Sequence, residues 1–115
     1  MDVIAEKTKS LIEEIKNSED YKSYQTLQKT IEENTELFQR VNEYRRKVFA
    51  MHNRPDVGNI MQEVRALREE YHVELNTPEV LQYLIAEQKV CKIIREISET
   101  IADEIELDYR FLEME

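Results

Sequence analysis

No glycine or proline interrupts the chain from Glu79 to its last residue, and this run constrains the fold more than any other feature. Asn76-Thr77-Pro78-Glu79 opens it. Thr77 is a good N-cap type, Pro78 suits the first helical position, and Glu79 complements the helix dipole. Behind this cap Val80, Tyr83, Leu84, Val90, Cys91, Ile94, Ile97, Ile101, Ile105, Tyr109 and Leu112 recur at helical spacing. Ala86, Ile93 and Ala102 widen the stripe to roughly half the helix circumference, more than a two-helix seam requires. A straight helix from here to Met114 would span about 50 Å, longer than a compact domain of this size is wide. Part of the stripe is therefore left for a second chain. Ile94, Ile101, Ile105 and Leu112 are the candidate residues for that contact, as a homodimer or a higher oligomer.

The remaining composition agrees with helices throughout. One Gly, two Pro, no Trp and 36% charged residues suit an all-α chain and leave too few turn residues for a sheet. Periodicity predicts helices over about 2–17, 19–33, 34–53 and 59–75 ahead of the long one. The strong interior break is Arg54-Pro55-Asp56-Val57-Gly58. The expected fold is all-α: a bundle of four or five helices with a long C-terminal helix, oligomeric, forming a single domain over 1–115.

Charge narrows the function. The net charge of −9 and the lack of any basic run longer than Arg45-Arg46-Lys47 argue against direct binding of nucleic acid or an anionic membrane. No apolar run reaches the roughly 20 residues of a membrane span. The start, Met1-Asp2-Val3-Ile4-Ala5-Glu6, lacks the regions of a signal peptide. The one cysteine forms no internal disulfide, so the expected location is the cytoplasm.

Catalytic constellations are weak. Glu69 and His72 form the Glu-x-x-His unit of di-iron bundles, but the other histidine, His52, has Phe49 three residues before it and falls some 18 Å along a helix hairpin from His72. His52 reads as a partly buried histidine on the apolar face, and Cys91 as a small core hydrophobe. Glu87 is the polar residue that stands out, since it lies near the middle of the apolar stripe, where a charge is out of place. Antiparallel folding of neighbouring helices puts Arg45 and Arg68 near its level. An Arg–Glu–Arg cluster that fixes register or docks a partner follows as a hypothesis.

The stretch from Asn76 to Gln88, with its Asn-Thr-Pro opening, Tyr83 and the Ala86-Glu87 pair, resembles the hallmark of the YlbF/YmcA family of bacterial regulators. Ser18-Glu19-Asp20-Tyr21-Lys22-Ser23-Tyr24, with two tyrosines three apart, is similar to that family's other common stretch. The two stretches also echo each other, with Tyr24 and Tyr83 at the same offset from their caps. The resemblance implies an α-helical regulator without enzymatic activity that forms homo- or hetero-oligomers. It also implies action with partner proteins on RNase Y-dependent mRNA processing, and through it on competence, biofilm formation and sporulation. Some members bind an iron–sulfur cluster through several cysteines. Cys91 alone cannot, so no cofactor is carried over. The rival reading is an unrelated helical scaffold or inhibitor with a protein target. A small all-α enzyme holding a dicarboxylate would need more inward cations than Arg45 and Arg68.

Overall fold

The computed structural model describes residues 2–54, 58–108 and 110–113. Among these, all regular structure is helical: α1 (Val3–Lys16), α2 (Glu19–Glu32), α3 (Thr35–His52), α4 (Ile60–Glu70), α5 (His72–Leu75) and α6 (Pro78–Glu104), followed by a short 3-10 turn at Arg110–Glu113. The predicted break at Pro55 lies outside the described residues, as do Tyr109 and Met114.

Local chemistry sets most boundaries. Asp2, Ser18 and Asn34 each accept a hydrogen bond from the backbone N–H three residues on, at 2.7, 3.3 and 3.1 Å, so each cap satisfies a donor that the helix cannot. Thr77 occupies the N-cap of α6, but its hydroxyl turns back and donates to the Val73 carbonyl at 3.1 Å. Pro78 starts that helix through its fixed φ alone.

Two boundaries differ from expectation. The predicted fourth helix is split at Tyr71, which has φ −109° and ψ 23°. The bend accompanies complete burial of the Tyr71 ring, a tertiary demand that periodicity does not carry. The long helix stops at Glu104, so Ile105 and Leu112 are not on it. Its last turn holds Asp103 and Glu104 and no basic residue. Acids at a helix C-terminus oppose the dipole, and Glu106 and Asp108 would deepen the conflict.

α6 packs mainly on α2, and α2 also meets α3. Ile31, Val41, Val80 and Tyr83 form the buried centre, with Tyr24, Leu27, Leu37, Phe38 and Leu84 around it. The molecule measures 48 × 42 × 20 Å, thin enough for two helix layers at most. Its radius of gyration is 18.5 Å, against about 13 Å for a compact chain of this length. The accessible surface is 9576 Å², whereas a compact monomer of this mass exposes about 6,600 Å². Large apolar side chains stand on this surface, Ile94, Ile101, Ile105 and Leu112 among them. Cys91 is exposed as well and not in the core, because the core face of α6 runs on past the end of the helices that cover it. His52 is likewise exposed, at the outer end of α3.

Candidate functional site

Three helices bring one aromatic and charged cluster together. α2 supplies Tyr24, α3 supplies Arg45, and α6 supplies Tyr83 and Glu87, which share a face because they are four residues apart. Tyr24 and Tyr83 stack, with ring centroids 5.3 Å apart and planes 17° from parallel. The two stretches on which the family resemblance rests thus meet ring to ring. The Arg45 guanidinium lies 5.3 Å from the centre of the Tyr83 ring, forms an ion pair with Glu87, and donates to Asn42 Oδ1 at 2.9 Å. Tyr83 is fully buried, whereas the Arg45 and Glu87 side chains are 32% and 23% exposed. Arg68 does not join them. It is exposed on α4 and makes no ion pair among the described residues.

Electrostatics follow from this packing. Desolvation by itself lowers the pKa of the Arg45 guanidinium, but Glu87 and Tyr83 more than offset it and the net direction is upward. Arg45 therefore stays charged. Glu87 Oε2 is shut from solvent without an aligned hydrogen bond, and so is the Tyr83 hydroxyl. For Glu87 the guanidinium supplies charge compensation instead. Burial pushes the Tyr83 phenol well above its ordinary 10.0. Because the folded state holds this proton more tightly than the unfolded one, the associated stability is complete below about pH 10 and is lost as pH rises toward the folded value. Tyr83→Phe is expected to flatten the alkaline limb of a stability–pH curve measured by urea unfolding. An unchanged alkaline slope would contradict this assignment.

A groove of about 710 Å³ opens beside the cluster between α3 and α6, with Arg45, Arg46, His52 and Glu87 on its walls. It offers charge and amide groups, but no serine or cysteine stands among its lining residues to act as a nucleophile. The cluster joins side chains of α2, α3 and α6 through one stack, one cation–ring contact and one ion pair.

A second cluster escaped sequence reasoning. Tyr71 is covered by Arg40 at 4.4 Å and Lys47 at 5.0 Å from its ring centroid, and Tyr44 meets its edge. Arg40 also pairs with Glu74 at 3.3 Å and Lys47 with Glu70 at 3.0 Å. The available signal was the seven-residue spacing of Arg40 and Lys47, which places both on one face of α3.

The profile described as "Control of competence regulator ComK, YlbF/YmcA" matches residues 4–106, nearly the whole chain and both motif stretches. The chain belongs to the YlbF/YmcA family. A "UPF0342 protein" of Caldicellulosiruptor bescii is 30% identical over 94 residues, covering 80% of this chain and 79% of that one. No solved structure matches. The YlbF/YmcA family is linked to control of the competence regulator ComK. Among the described residues no helix is long and apolar enough to cross a membrane.

Proposed function

We propose that this YlbF/YmcA chain is a non-enzymatic regulatory adaptor that works through protein–protein contacts in RNase Y-dependent mRNA processing. Competence, biofilm formation or sporulation would be affected downstream. The observation that carries the adaptor reading is the surface excess: about 3,000 Å² more than a compact monomer exposes, with apolar residues along α6 uncovered. Patches of that kind mark contact surfaces. The link to RNA processing comes from the family resemblance.

The same reading has the chain self-associate through α6 and meet related family members in a larger complex, with no direct grip on RNA. Two measurements test it. The purified protein is expected to show no tight RNA binding at ~0.15 M salt, and a steep loss of binding with salt would reverse that conclusion. Affinity capture from the native host is expected to bring down RNase Y or other YlbF/YmcA proteins, identified by mass spectrometry. Reproducible capture of an unrelated target in their place would favour the scaffold or inhibitor alternative.

A further inference from the structure

The groove between α3 and α6 does not end at α6. Leu84 and Gln88, which line it, also line a second depression of about 350 Å³ on the outer side of that helix, together with Leu81, Ile85, Lys89 and Lys92. The two depressions share a wall and form one surface. Its apolar part is large for a face turned to solvent: Phe49, Ile85 and Leu81 are 71%, 55% and 44% exposed, and Val48 and Leu84 are half-buried beside them. Single exposed apolar side chains are ordinary, whereas a group of this kind marks a contact surface.

The charge of this surface runs against that of the molecule. The chain carries −9, yet the residues around the two depressions include the cations Arg45, Arg46, Lys89 and Lys92 and a single carboxylate, Glu87. Glu87 is taken up by Arg45, and Lys92 is shared with Glu96 at 3.8 Å. Arg46 and Lys89 are exposed and make no ion pair among the described residues. A basic groove on an acidic molecule attracts what the rest of the surface repels, so the favoured occupant is acidic. It also needs apolar side chains to set against Phe49, Leu81 and Ile85. Among the described residues there is no strand, hence no sheet edge for an extended peptide to join, and a helix laid in the groove is the fitting mode. From Leu81 to Lys92 α6 runs about 16 Å, the length of roughly three turns of a partner helix. An RNA strand would meet one exposed ring, Phe49, and two aliphatic side chains that give its bases no stacking platform.

We propose that the α3–α6 surface is the docking site for an acidic amphipathic helix of another protein. Its apolar residues lie against Phe49, Leu81 and Ile85, and its carboxylates turn toward Arg46 and Lys89. The Arg45–Glu87 pair stays intact beneath it, because those two charges already answer each other. The site uses the outer side of α6, away from Val80, Tyr83 and Ala86, which are buried in the protomer. This proposal rests on the adaptor reading above and gives it a place on the molecule and a partner chemistry.

The test uses the full chain and a fluorescent helical peptide of about 18 residues, with leucines on one face and glutamates on both flanks. Anisotropy is expected to show binding at ~0.05 M salt that weakens as salt is raised. A scrambled peptide of the same composition, which has no apolar face, is expected to bind at least about tenfold more weakly. Arg46→Glu combined with Lys89→Glu, and separately Phe49→Ser, are each expected to weaken binding of the first peptide at least about tenfold. Helical circular dichroism should be kept in both variants, because all three side chains are exposed. A first peptide that does not bind, that binds the double variant as well as the wild type, or that is displaced by single-stranded RNA of equal charge overturns the proposal. Capture of the same host partners by wild type and double variant also overturns it, while the adaptor reading stands. Loss of those partners in the double variant alone supports it, and capture of no partner by either protein overturns the adaptor reading itself.

Discussion

Tyr83→Ala is expected to lose about 3–5 kcal/mol of stability in urea unfolding, the range for deleting a fully buried aromatic side chain. The ring is fully buried, lies in the centre of the core with Ile31, Val41 and Val80, and stacks on Tyr24. It also carries the face over which the Arg45 guanidinium lies. Its removal thus leaves a cavity and takes away a support of a half-buried charge. The loss would be a large share of the 5–15 kcal/mol that holds an ordinary domain together. Tyr83→Phe keeps the ring and removes a buried hydroxyl that has no aligned hydrogen bond, so it is expected to change stability by less than about 1 kcal/mol, in either direction. If alanine and phenylalanine gave similar small changes, the ring would not be the keystone of this core.

Glu87→Gln is expected to cost about 2 kcal/mol, between the ~0–1 kcal/mol of an exposed ion pair and the 3–5 kcal/mol of breaking a buried one. The partial exposure of both partners, 32% and 23%, is what places it between those limits. Glutamine keeps the shape of the side chain, so the loss reports charge and not packing. Arg45→Met should cost a comparable amount, and the double variant should recover at least about 1 kcal/mol of the summed losses. Arg68→Met, at an exposed position with no ion pair among the described residues, should stay within about 0.5 kcal/mol of wild type. Strict additivity of Glu87→Gln and Arg45→Met would remove Arg45 as the partner of Glu87. A large effect at Arg68 would restore it as a candidate.

What local chemistry can encode was legible. The helix starts at Ser18, Asn34 and Pro78 depend on residues within a turn of each other, so a reading of neighbours finds them. The length of α6 was over-read, because apolar spacing continues past Glu104 while the acids that end the helix act through its dipole and not through periodicity. Cys91 and His52 were read as buried because a stripe says which residues share a face, not whether another helix reaches that far along it.

The out-of-place charge at Glu87 was visible in the stripe, since only the period of α6 was needed to see it. Its partner was not, because two arginines stood near the right level and only the placement of α3 and α4 distinguishes them. The Arg45 side chain reaches Glu87 from α3, whereas Arg68 stays exposed on α4, outside the cluster. The same division holds for the aromatic centre. Sequence by itself determined that Tyr24 and Tyr83 sit at matching offsets on two capped helices, because caps and spacing are local. Only the tertiary structure decided that the rings stack, that Arg45 lies over one of them, and that α6 outruns its cover. Those outcomes depend on where helices far apart in the chain come to lie, and local period carries no information about that.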